Sequence, residues 1–182
     1  AYTMAVEALN ATRNVLDPEA IDHAATLLQR ARQVYCLGQG GSQVLAGDIW
    51  ARFSMLSTKF RTAGDSHMQA ITASLMGPED VVLFISYSGC TRDMMDTLHI
   101  AKDNGAKVIL VTHYDDAPGA ALADVVLLCG ATESPLDSGS IPAKLAMLFV
   151  ANVLVLRYTL DNQELANLSL SRTSQALGNK LL

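Results

Sequence analysis

Two short apolar runs limit this chain more than any other feature. Val81-Val82-Leu83-Phe84-Ile85 and Val108-Ile109-Leu110-Val111 are continuous and rich in β-branched residues, with one helical pattern, Asp93 to Asn104, between them. A strand with no polar position is buried on both faces, and such strands belong to parallel sheets covered by helices. Strand, helix and strand in parallel make a βαβ unit with a right-handed crossover. The same alternation fills most of the chain. Strands are predicted over 34–37, 59–62, 81–85, 107–112 and 124–129. Between and around them run helical patterns: 2–16, a helix opened by Asp17-Pro18-Glu19, 44–56, one capped at Ser66 with Gln69 completing a capping box, 93–104 and a short one over 118–122. Two more follow, from an N-cap at Ser140 to about Leu160 and from Gln163 to Leu177. Aspartate before proline marks a helix start, and glycine after Asn104 marks a helix end.

The expected fold is therefore α/β: a three-layer, doubly wound, five-stranded parallel sheet of order 2-1-3-4-5, flavodoxin-like, with extra terminal helices. At 182 residues, without an internal repeat or low-complexity linker, the reading is a single domain over 1–182. In this order the first and third strands are neighbours whose helices leave on opposite faces. A ligand crevice is expected where they diverge.

Both strand ends at that crevice carry unusual turns. After the third strand comes Ser86-Tyr87-Ser88-Gly89-Cys90-Thr91-Arg92-Asp93. Three hydroxyls and free backbone N–H groups are thus delivered to a helix N-terminus, an arrangement that suits an anion and phosphate in particular. After the first strand comes Gly38-Gln39-Gly40-Gly41-Ser42. A dinucleotide fingerprint would need glycine where Gln43 stands, and a P-loop would need Gly-Lys-Ser/Thr, which is absent. What remains is a glycine turn that lets the backbone approach a ligand, with one hydroxyl beside it.

Composition narrows the function. A net charge of −5 and no basic run argue against non-specific nucleic-acid binding by this chain. Three cysteines without metal spacing, and an N-terminus without signal-peptide order, read as a reduced cytoplasmic protein with no metal and no cofactor. The longest apolar run, Leu145 to Leu156, is 12 residues and reads as a buried helix, not a membrane span. That helix is apolar around nearly its whole circumference, which predicts cover from a second subunit in a homodimer or tetramer.

Together, Gly38-Gln-Gly-Gly-Ser42-x-x-x-Ala46 and Ile85-Ser-Tyr-Ser-Gly-Cys-Thr-Arg-Asp93 resemble the two signature loops of the SIS (sugar isomerase) domain. Within that family the chain is similar to the sensor domain of RpiR/MurR-type transcription regulators, through Leu16-Asp17-Pro18-Glu19-Ala20-Ile21, Asp65-x-His67-x-Gln69 and Ser-Tyr-Ser-Gly-x-Thr. The resemblance implies a sugar phosphate ligand held without turnover. Ser42, Ser86, Ser88 and Thr91 would hold the phosphate, with backbone amides admitted by Gly41 and Gly89. His67 would face the sugar, and Lys144 would reach a sugar oxygen or the phosphate. Glu133 lies in the loop where some isomerases of the family place a catalytic carboxylate; His113-Tyr114 ends the fourth strand with no assigned role. Regulators of this type carry a helix-turn-helix domain before the sensor. This chain is expected to lack it and to reach DNA only through such a domain. The alternative is an aldose–ketose isomerase resembling 6-phospho-3-hexuloisomerases. Those have Arg-Ser in place of Gly41-Ser42 and Gly-Glu-Thr in place of Gly64-Asp65-Ser66.

Overall fold

Strand pairing follows the apolar runs. In the computed structural model, which describes residues 1–131 and 139–178, five parallel strands lie in the order β2-β1-β3-β4-β5. They are β1 Gln33–Gly38, β2 Phe60–Thr62, β3 Asp80–Ile85, β4 Lys107–Thr112 and β5 Val125–Leu128. β3 is buried at every position. Its alternate side chains serve two cores: Val81, Leu83 and Ile85 face one side with Val34, Cys36, Ile109 and Val111. Val82 and Phe84 face the other with Leu37, Val108 and Leu110. An unbroken apolar run is therefore what a doubly covered strand requires.

The helices are α1 Tyr2–Val15, α2 Pro18–Arg30, α3 Gly41–Ser54, α4 Ser66–Ser74, α5 Arg92–Asp103, α6 Ile141–Asp161 and α7 Gln163–Gly178. The first core is closed by α2, α3 and α6, through Leu28, Ile49, Phe53, Val150 and Leu154. Phe53 stacks on Phe60 at 4.3 Å, and both meet Tyr158 edge-on at 5.5 Å. The second core is closed by α4 and α5, through Ala73, Met94, Leu98 and Ala101. The helices that follow β1 and β3 thus lie on opposite faces, as the strand order demands.

Several boundaries differ from the sequence reading for identifiable reasons. The segment 118–122 is only a 3-10 turn, Ala120–Leu122. Helix α3 starts at Gly41 rather than Val44, because Ser42 N–H and Gln43 N–H already bond back to the Gln39 and Gly40 carbonyls. The cap of α4 is Asp65, whose carboxylate accepts from Met68 N–H at 2.9 Å, and not Ser66. Gln69 takes no part in a capping box; it is buried and bonds elsewhere. Asp17 and Ser140 do cap α2 and α6, accepting from Glu19 N–H and Ala143 N–H.

At 21 residues, α6 is long and apolar enough by length and composition to cross a membrane. Here its buried residues are Ala143, Ala146, Met147, Val150, Ala151, Leu154 and Tyr158, and it packs chiefly against α1, α2 and α3, and also against β4. Its remaining face leaves Leu156 and Leu160 exposed. Cys36 and Cys129 are buried, and burial pushes the Cys36 thiol up to about 12, which makes it unreactive.

Candidate functional site

The carboxyl ends of β1 and β3 are adjacent, with Gly38 paired to Ile85. The turns that leave them are shaped by glycine. A Cβ at Gly38 would lie 2.6 Å from the Ser42 carbonyl oxygen, so only glycine lets the first turn of α3 settle on the strand end. Gly89 has a φ of +59°, and a Cβ there would meet Ala117 Cβ at 2.7 Å and Thr112 Oγ1 at 2.9 Å. The Gly89 N–H donates to Ser86 Oγ at 3.2 Å, which folds the hydroxyl-rich turn on itself.

These two turns, 52 positions apart at their point of contact, touch: Thr91 Oγ1 donates to Gln39 Oε1 at 3.1 Å. Between them opens a cavity of about 200 Å³. Its wall includes Gly41 and Ser42 from the first turn, Ser86, Ser88 and Thr91 from the second, and Lys144 from α6. That volume lies below the roughly 300–1,000 Å³ of pockets that hold drug-sized ligands, so it suits a small group, not a dinucleotide.

The electrostatics point one way. α3 and α5 both aim their N-termini at this region, and neither has a side-chain cap, whereas α2, α4 and α6 are each capped by a side chain. Thr91, the N-cap residue of α5, turns its hydroxyl to Gln39 instead. Orphan N–H groups at a helix start amount to about half a positive charge. Lys144 adds a whole one, its Nζ lying 3.8 Å from where a methyl at Gly41 would stand. Among the described residues the Lys144 ammonium has no hydrogen-bond or ion-pair partner, and the side-chain hydroxyls of Ser42 and Ser88 are likewise unbonded. A cation set against helix N-termini is unfavourable by itself. An anion between them satisfies all three.

The residues singled out in the sequence fall as follows. Ser42, Ser86, Ser88, Thr91, Gly41 and Lys144 line one cavity. Gly89 does not line it but sets the turn that does. His67 is elsewhere, in a separate hollow beside Asp93 and Asp96 on the α4–α5 side. Glu133 lies outside the described residues. His113 stacks on Tyr87 at 5.0 Å, with its Nδ1 2.8 Å from the Cys129 carbonyl, so it buttresses the cavity wall.

The sequence reading passed over Gln39, Tyr87, Gly139 and Met147, which also line the cavity. Gln39 had one available signal, as the sole residue with a side chain among the three glycines of its turn. Tyr87, between two assigned serines, projects from the same turn and donates its OH to the Ala131 carbonyl at 2.6 Å.

Comparison with known proteins finds relatives of the fold over most of the chain. Residues 27–157 match the family described as the SIS domain. The chain is 31% identical over 161 residues to the HTH-type transcriptional regulator RpiR of Escherichia coli K12, covering 88% of this chain and 54% of that protein. It thus spans about half the length of the curated relatives it matches. Among solved structures, the Vibrio vulnificus NanR protein complexed with ManNAc-6P superposes with a TM-score of 0.94 at 22% identity, over 99% of this chain and 68% of that one. The sugar isomerase domain of the RpiR transcription factor from Sphaerobacter thermophilus gives 0.87 at 26% identity, over 96% of each chain.

Proposed function

We propose a function from one premise: the chain belongs to the SIS domain family. Residues 1–182 act as a single sensing domain of a transcription regulator of the RpiR type. They bind a sugar phosphate without converting it, and DNA contact belongs to a helix-turn-helix domain attached to this one. The observation that carries the reading is a match of charge. Two uncapped helix N-termini and one ammonium together offset about two negative charges. A phosphate monoester carries about −1.5 to −2 at pH 7. Ser42, Ser86, Ser88 and Thr91 supply hydroxyls around it, and Gly41 and Gly89 keep the backbone close. The two RpiR proteins named above are transcription regulators, and the ligand complexed with NanR is itself a sugar phosphate.

Sensing needs only that the ligand prefer one arrangement of the protein over another. Two copies of this chain provide such an arrangement. The outer apolar residues of α6, Leu156 and Leu160, supply a surface for the second subunit. His67 would meet a ligand only across that assembly, since it stands apart from the cavity of its own chain. Analytical ultracentrifugation should therefore give a homodimer or tetramer at micromolar concentration, and a strict monomer would contradict this. The cytoplasm is the proposed location.

A thermal-shift screen of hexose and amino-sugar phosphates, paired with an isomer-interconversion assay, tests the function. At a hundredfold excess over Kd the cognate ligand should stabilise the fold by about 2.7 kcal/mol, raising Tm by about 5–10 °C. Binding without turnover is the expected result. Turnover would instead favour the isomerase reading, and no shift with any sugar phosphate would reject both.

A further inference from the structure

We infer that Gln69 is a positioning residue for the anion site, holding the first glycine turn in place without touching the ligand. This rests on the reading of that cavity given above. The need for such a residue comes from the sheet. β2 is three residues long, and its pairing with β1 ends at Cys36 and Thr62. β1 continues for two residues beyond, to Gly38, paired only on its β3 side. The Gly38 carbonyl therefore emerges past the last β2 rung, just where the chain must turn into α3.

Gln69 fills that gap. Its side-chain amide, on a residue 1% exposed, donates to the Gly38 carbonyl at 2.8 Å and to the Ala63 carbonyl at 3.3 Å, one residue past β2. The same nitrogen lies 3.2 Å from Gln43 Oε1 in the first turn of α3. One amide thus joins the ends of two strands and the start of a helix, as a further rung of the sheet would.

Its own support is firm. Asp65 caps α4 from the front, and Asn104 Nδ2 donates to the Ala73 carbonyl near its end. Gln69 does not line the anion cavity, so its influence passes through Gly38 to Gly41 and Ser42. This also gives the segment Asp65-x-His67-x-Gln69 a role that contact with the ligand does not: Asp65 starts the helix and Gln69 fixes the turn.

The test is Gln69→Met, which keeps length and volume but removes the amide, with Gln69→Asn, a shorter amide that cannot span both carbonyls, as the second variant. Amide exchange is read by NMR without ligand, and inorganic phosphate is then titrated. Exchange at Ser42 and Gln43 should quicken about tenfold or more, with exchange at Ser88 to Asp93 unchanged, and phosphate affinity should fall about tenfold. General destabilisation would quicken both turns alike. Unchanged exchange at Ser42 and Gln43 in both variants, or equal quickening of the two turns, would overturn the assignment of Gln69. Failure of the wild-type chain to respond to phosphate or to any sugar phosphate would count against the anion site instead, and the ligand-free exchange would still decide the role of Gln69.

Discussion

Ser88→Glu should abolish sugar phosphate binding and leave the fold intact. Ser88 lines the cavity and its hydroxyl is unbonded among the described residues, so its loss removes no contact that the fold uses. The new carboxylate would sit in the space between Lys144 and the N-termini of α3 and α5. Two unit charges 4 Å apart interact by about 4 kcal/mol at the effective dielectric near a protein surface. Repulsion of that size from a dianion lowers affinity by roughly a thousandfold or more. The ligand-dependent rise in Tm should vanish. The Tm of the free protein should hold or rise, because the carboxylate itself answers the positive field. A variant that keeps a sugar-phosphate-dependent shift would remove the second turn from the site.

Gly38→Ala should weaken both the fold and the site. The added methyl would stand 2.6 Å from the Ser42 carbonyl oxygen and 2.8 Å from its carbon, both backbone atoms, so no side chain can swing aside. The first turn of α3 must move away from the strand end. Overpacking of this kind costs about 1–3 kcal/mol, or roughly 2–12 °C in Tm for a domain of this size. The same movement carries Gly41 and Ser42 out of reach of the anion. Losing one hydrogen bond to a charged group lowers affinity by about 10–150-fold. Gly47→Ala is the control. It lies within α3, a methyl there meets nothing within 4 Å, and it should stabilise the helix by about 0.5–1 kcal/mol. Equal behaviour of the two variants would show that the approach at Gly38 is not what fixes the turn.

How much of this was legible in the sequence depends on whether a feature is decided locally. β3 and β4 were, because burial on both faces leaves the continuous apolar runs 81–85 and 108–111, with polar residues only at the strand ends. From strand and helix order followed the sheet order, and from that the meeting of two turns far apart in the chain. The cap at Ser140 was legible for the same reason, since an N-cap hydroxyl accepts from an N–H of its own helix three residues on.

Features decided by tertiary contacts were not. Ser66 and Gln69 have capping-box spacing, but Asp65 caps one residue earlier, and a buried rung between two strand ends takes Gln69 instead. The start of α3 was misplaced because two glycines within its cap and first turn disguise a helix. The approach of Lys144 to Gly41 depends on how α6 crosses the sheet, which no local pattern encodes. His67 was grouped with the site through resemblance, and the fold of one chain places it in another hollow.

A crystal structure with the sugar phosphate that gives the largest thermal shift tests the central claim most directly. The phosphorus should lie between the two turns, bonded to the hydroxyls of Ser42 and Ser88 and to backbone N–H groups of both, with the Lys144 ammonium in contact. A phosphate bound to one turn alone, or away from the cavity they share, would contradict it.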